Sequence, residues 1–210
     1  MGNLRSVQKA LARVGAGAEI ISDPKQAVGA HGLVLPGVGA FGQGMERLSE
    51  TGFDDLVKEW GVADRPFLGI CLGMQLLFGD SEEFGLAAGL GVVPGHVLRF
   101  RGSAFEPNGD EPGLKVPHMG WNTLRVAKGH PVLRGVGESA MAYFVHSYYC
   151  IPDDPTWTAV TTEHGIQFTS AVARGNLFAS QFHPEKSGDV GLRILENFVR
   201  LVSCHAEGGA

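Results

Sequence analysis

The chain has 210 residues, a net charge of −5, 44% hydrophobic and 19% charged residues, and 31 glycines. That length fits one large domain that needs no disulfide or metal to hold its core, and an acidic balance without a dense Lys/Arg run argues against a nucleic-acid footprint. No apolar stretch reaches the ~18 residues of a spanning helix and no basic-then-apolar leader is read at the N-terminus. The widely spaced Cys71, Cys150 and Cys204 fit a reducing, cytoplasmic setting rather than a disulfide framework.

The first element, 3–15, is a helix by spacing: Leu4, Val7, Leu11 and Val14 share a face, Asn3 stands as N-cap and Gly15 as stop. EIIS (19–22) and GLVLPG (32–37) read as short buried strands, GMERLSE (44–50) and FDDLVKEW (53–60) as helices. PFLGI is a strand and LGMQLLFG the helix after it. Strands alternating with helices predict a mostly parallel central sheet covered on both faces. From 90 to 182 strand signals dominate, in LGVVPGHVLRF, WNTLRV, MAYFVHSYYC, TWTAVTTE, IQFTSAVA and NLFASQFHP, so the second half is β-rich and mixed. The polar segment 101–115 is a surface loop, and a final helix carries Leu192, Leu195, Phe198, Val199 and Val202 on one side. One α/β domain over 1–204 is expected, with 205–210 a disordered tail.

The chemistry concentrates where PFLGI meets LGMQ. Gly69, Cys71 and Gly73 form G-x-C-x-G on a strand–turn–helix, the form of a nucleophile elbow. An ordinary thiol with a pKa near 8.5 is only about 3% ionised at pH 7, so such a nucleophile needs a base. QFHPEKSG supplies one: His183 and Glu185, two apart in extended chain, share a face, so the carboxylate can orient the imidazole. Each signal has a plainer alternative. A buried cysteine often only packs, and His-x-Glu alone could be a surface ion pair. LPGVGAFG (35–42) places glycines around Val38, whose N–H, with that of Leu72, could face a developing oxyanion; alone it is a turn. Gln75, one helical turn after Cys71, could face a polar substrate or solvent. His31, His96, His130, His164 and His205 show no ligand spacing, and neither a metal nor a cofactor is expected.

PFLGICLGMQLLF together with QFHPEKSG resembles the class I, triad-type glutamine amidotransferases. MGNLRSVQKAL, LVLPGVGAFGQGM, KVPHMGWN and YFVHSYY resemble, more narrowly, the glutaminase branch that serves the synthesis of imidazole glycerol phosphate in histidine biosynthesis. The resemblance runs from Gly2 to about Val202. It implies a three-layer, flavodoxin-like fold and hydrolysis of glutamine, with Cys71 as nucleophile through a thioester, His183 as acid and base, and Glu185 as its orienter. It also implies that Gly37, Gln75, His146, Ser147 and Tyr148 line the glutamine pocket. Ammonia would pass to a (βα)8-barrel cyclase as heterodimer partner, with Trp121, Asn122 and Tyr143 near that interface; a buried Trp121 would be the plainer alternative. The resemblance further implies a P-G-V-G strand mis-set at rest and corrected by the partner's ligand. Such proteins carry an apolar strand before the M-G-N of this chain, so either the start lies upstream of Met1, which is the expectation, or the sheet closes differently. A glutaminase subunit of another pathway, a silent docking module and a thiol peptidase are the competing readings.

Overall fold

The structure, a computed structural model, describes residues 3–108 and 112–208; the expectations for Met1, for 109–111 within the surface loop and for 209–210 lie outside the described residues. The chain opens with helix α1 (Leu4–Arg13) and continues through strand β1 (Leu33–Gly37), α2 (Phe41–Thr51), α3 (Phe53–Val62) and β2 (Phe67–Cys71). A single turn of helix, α4 (Leu72–Gln75), leads to β3 (Phe78–Ser81), β4 (Ala87–Ala88) and β5 (Val93–Arg99). The second half supplies β6 (His118–Thr123), β7 (Arg125–Val126), β8 (Met141–His146), β9 (Tyr148–Pro152), β10 (Thr158–His164), β11 (Ile166–Arg174) and β12 (Leu177–Ser180) before α5 (Gly188–Gly208).

Among the described residues ten strands form one sheet with the path β1-β2-β12-β11-β9-β5-β3-β4, with β10 and β7 branching from β11; β6 and β8 make a separate ribbon. β1, β2 and β12 run parallel, as do β3 and β5, whereas β12–β11, β11–β9 and β9–β5 are antiparallel. The fold is thus the expected α/β arrangement, with its parallel part narrower than the strand–helix alternation implied. Strand alternation builds the layers. In β2, Leu68 and Ile70 pack on the side of Val7 and Leu11 of α1 and Ile194, Leu195 and Phe198 of α5. Phe67 points the other way, toward Leu48 of α2 and Val57 and Trp60 of α3. Phe178 and Ala179 of β12 divide between the same two cores.

Three elements differ from the sequence reading. Residues 19–22 form no strand, and Ile20 is exposed. The segment pairs with no strand of the sheet. β1, at the sheet edge, is half-buried along its length rather than fully buried. The helix after Cys71 stops at Gln75, because Leu76, Leu77 and Phe78 are all buried and the run enters β3; an apolar stretch buried all round carries no periodicity to separate helix from strand. Finally, His205–Gly208 prolong α5 instead of forming a disordered tail.

Candidate active site

β2 delivers Cys71 to a corner. Its backbone, at φ +55° and ψ −112°, lies where a side chain is strained by about 1–3 kcal/mol. Close packing keeps it there. A Cβ on Gly73 would fall 1.8 Å from the carbonyl oxygen of Leu35 in β1, and one on Gly69 would meet the Cβ of Ala179 in β12 at 2.8 Å. The two glycines of G-x-C-x-G therefore let the turn sink between neighbouring strands.

His183 arrives from the end of β12, beside β2. Its N–H donates to the carbonyl of Tyr143 (3.0 Å), and its own carbonyl accepts from Ser187 Oγ (2.7 Å), whose oxygen in turn accepts from the Tyr143 N–H (3.0 Å). Pro184–Lys186 form one 3-10 turn that brings Glu185 Oε1 to 2.8 Å from His183 Nδ1, both side chains being buried. Nδ1 is the donor in that bond, because an ionised carboxylate only accepts. Nε2 is thereby left without a hydrogen-bond partner among the described residues, and the Cys71 sulfur lies near enough to act on the imidazole's charge. Burial works against a charged imidazole, but the Cys71 thiol and the Glu185 carboxylate outweigh it and raise the His183 pKa to about 9. Burial likewise favours the neutral acid at Glu185, yet His183 and Asn3 hold its pKa below the usual value. An imidazole near a sulfur, with one nitrogen free and the other fixed by a carboxylate, can take and return a proton.

The other expected residues assemble around this corner. Gly37 is in register with Cys71 across β1 and β2. A Cβ on it would meet the Leu72 Cβ at 2.9 Å, and Val38, 49% exposed, follows directly. Gln75 is buried, and its Nε2 reaches the Tyr148 carbonyl (3.2 Å) and Gln181 Oε1 (2.9 Å). Gln181, which the sequence reading passed over, then donates to Cys71 Sγ at 3.6 Å. Its i, i+2, i+4 alignment with His183 and Glu185 was the available signal. Asn3 was also missed, its side chain lying 2.7 Å from Glu185 Oε1; nothing local distinguishes it from an ordinary N-cap.

Ser147 links β8 to β9, its carbonyl accepting from the Phe100 N–H (3.1 Å), and Tyr148 is half-buried at the start of β9. His146 Nδ1 donates to the Tyr148 carbonyl (2.7 Å), so its Nε2 must accept from His118 Nδ1 (3.0 Å), and His118 Nε2 from the Asn122 amide (3.1 Å). Burial holds both imidazoles neutral, with pKa values lowered to about 3 for His146 and about 4 for His118. The three residues expected at an interface therefore divide. Trp121, 54% exposed, pairs with Tyr143 on the outer face of the β6–β8 ribbon, whereas the Asn122 side chain turns inward to His118 and the Glu163 carbonyl (2.8 Å). Among the described residues no group of His, Cys, Asp and Glu is placed to hold a metal ion, and no helix is long and apolar enough to cross a membrane.

Residues 3–202 match the family described as glutamine amidotransferase class-I. A solved structure described as a glutamine amidotransferase superposes with a TM-score of 0.72 at 22% identity, covering 96% of this chain and 95% of the other. The glutaminase domain of Trypanosoma brucei CTPS superposes at 0.63 with 14% identity, covering 98% and 89%; both likenesses speak for the fold alone. The chain belongs to the class I glutamine amidotransferases, and the α/β fold is theirs.

Among curated relatives, the imidazole glycerol phosphate synthase subunit HisH of Synechococcus sp. (strain JA-3-3Ab) is 50% identical over 96% of this chain and 90% of its own length. The HisH of Geobacter sulfurreducens is 52% identical over 94% and 93%. Within its class the chain is a member of the HisH family, the glutaminase subunits of imidazole glycerol phosphate synthase.

Proposed function

We propose that Cys71, His183 and Glu185 hydrolyse the side-chain amide of glutamine and that the ammonia is handed to a (βα)8-barrel cyclase bound as heterodimer partner. The Cys71 sulfur, its proton passed to His183, attacks the amide carbon. The carbonyl oxygen gains the negative charge, against the N–H groups of Val38 and Leu72. Collapse breaks the C–N bond as His183 protonates the departing nitrogen, leaving a thioester and free ammonia. His183 then takes a proton from water, whose oxygen attacks the thioester; the C–S bond breaks and glutamate leaves. Glu185 keeps His183 in one tautomer throughout. Gly37, Gln75, His146, Ser147 and Tyr148 shape the pocket, and no cofactor takes part.

The observation that carries this reading is the His183–Glu185 pair at 2.8 Å, with the remaining imidazole nitrogen unpartnered beside a cysteine held at φ +55°. Trp121 and Tyr143 on the outer ribbon face are the partner contacts. Asn122, turned inward, supports them from behind. Since β8 carries Tyr143, whose backbone pins His183, a partner seated there touches the site through one strand. Val38 and its neighbour Gly39, at φ +105°, form the segment through which the partner's ligand sets the oxyanion donor.

The test is co-expression with the barrel partner, measuring glutamate release with and without the partner and its nucleotide. Wild type should release glutamate strongly only when both are present, and Cys71→Ala should not release it. A glutamine-analogue electrophile should label Cys71 once per chain. Equal turnover with and without the partner removes the coupling, and turnover in Cys71→Ala removes the mechanism.

A further inference from the structure

Asn3 occupies the position that sequence assigns to the N-cap of α1, yet it does not cap. Its backbone is near-helical (φ −109°, ψ −20°) and its side chain makes no capping bond. The amide is buried instead, 5% exposed. Its Nδ2 donates to Glu185 Oε1 at 2.7 Å and lies 3.3 Å from His183 Nδ1. Since Nδ1 gives its own proton to Glu185, the contact between the two nitrogens is not a hydrogen bond, and the Asn3 donor serves the carboxylate alone. Oε1 thus has two donors converging on it, while Oε2 is buried with no hydrogen-bond partner among the described residues. A carboxylate held by one bond could rotate about its terminal torsion, which is broad and soft. A second donor fixed to α1 removes that freedom.

We propose that Asn3 is a positioning residue for glutamine hydrolysis, holding the Glu185 carboxylate in the one orientation from which it fixes the tautomer and direction of His183. This rests on the reading of Cys71, His183 and Glu185 given above. It adds that the orienting chain starts at the residue preceding α1, 180 residues from the histidine it serves. The alternative role, capping α1, makes the opposite prediction for one isosteric change. Aspartate caps helices as well as asparagine does, but in place of the amide donor it sets a second carboxylate against Glu185, and two carboxylates cannot share such a site without repulsion.

The experiment uses the full chain in complex with the barrel partner and its nucleotide, comparing wild type, Cys71→Ala, Asn3→Asp and Asn3→Leu for kcat, KM for glutamine and thermal midpoint. Both Asn3 variants should lose about 100-fold in kcat, with KM within about twofold of wild type, because the group they disturb orients a proton-transfer residue rather than binding substrate. Asn3→Asp, which sets a second buried carboxylate beside Glu185, should melt below wild type, whereas the uncharged Asn3→Leu should melt within a few degrees of it. The proposal is overturned if Asn3→Asp keeps the wild-type kcat. It is overturned equally if Asn3→Leu fails to fold, because the residue would then be holding structure rather than the carboxylate. Glutamate release by Cys71→Ala at the wild-type rate would instead sink the underlying reading.

Discussion

Two adjacent strands end at the site in the same register, one rigid and the other loosely held. β2, ending at Cys71, is buried at every position between two cores, whereas β1, ending opposite it at Gly37, is half-buried throughout and lies at the sheet edge. Side chains in a close-packed interior cannot drift without costing contacts on all sides. The thiol and the imidazole, one at the end of β2 and the other just past β12, are therefore fixed by the fold. The segment Val38–Gly39, which continues β1 into solvent, is not fixed in that way. Under the proposed function, attack geometry would belong to the rigid strand and adjustment of the oxyanion side to the loose one.

The largest effect should come from forcing the two strands apart. Gly73→Ala places a methyl 1.8 Å from the Leu35 carbonyl oxygen, backbone against backbone, so β1 or the elbow must move. Overpacking of that kind should cost about 3 kcal/mol in denaturant unfolding, and displacing the thiol by about 1 Å should cost glutamine hydrolysis at least about 100-fold. A variant as stable and active as wild type would show that the corner is not clamped by β1. Next comes the rigid side alone. Glu185→Gln keeps the shape but removes the charge that favours the imidazolium, so the His183 pKa should fall from about 9. Turnover should drop roughly 10²–10⁴-fold with KM little changed, measured by steady-state glutamate release.

The elbow and the H-P-E turn were legible in the sequence because local spacing determines them: glycines either side of a cysteine, and a base and its orienter two residues apart. The layered α/β fold was legible from the alternation of element types. What was hidden depended on contacts between distant segments. Asn3 looked like a cap because capping is the local use of asparagine, and only the return of the chain after β12 gives its amide a carboxylate to meet. Ile20 and Ile21 looked like a strand, but a strand exists only where a neighbour offers a ladder. Trp121 and Asn122 are adjacent in sequence, yet strand alternation sends one out to solvent and the other in to His118.

That inward face gives the third test, which is acid. His118 and His146 stay neutral in the folded chain to about pH 4 and 3, but in the unfolded chain they protonate below about 6.5. As pH falls below 6.5 the unfolded state binds more protons, so stability should decline by at most about 1.4 kcal/mol per pH unit for each such histidine. His183, raised to about 9, is already protonated in the folded chain while its unfolded counterpart protonates near 6.5, so it partly offsets the decline down to about pH 5.5 and adds no slope below that. Denaturant midpoints between pH 7 and 4.5 should show the decline, and His118→Phe should remove about half of it. A flat wild-type curve would mean that the ribbon opens to water. On the outward face the effect is on association alone. Trp121→Ala should weaken the complex by about 30-fold in Kd and leave the melting point unchanged, because the indole is 54% exposed. A lowered melting point with unaltered Kd would return Trp121 to a packing role.

The smallest effect is expected at the loose strand, and it is the most informative about control. A Cβ on Gly39 would meet nothing within 4 Å, so Gly39→Ala adds no clash; what it adds is strain at φ +105°. That backbone should be destabilised by about 1 kcal/mol, equivalent to about fivefold in the population of any alternative in which φ turns negative. If the Val38–Gly39 peptide is the part that responds to the partner, the same variant should change the ratio of nucleotide-stimulated to resting glutamine hydrolysis by about that factor while losing no more than about 1 kcal/mol in denaturant unfolding. A ratio unchanged to within measurement, in a protein that pays the stability cost in full, would place the response elsewhere. The rigid and the loose strand would then differ in packing and not in role.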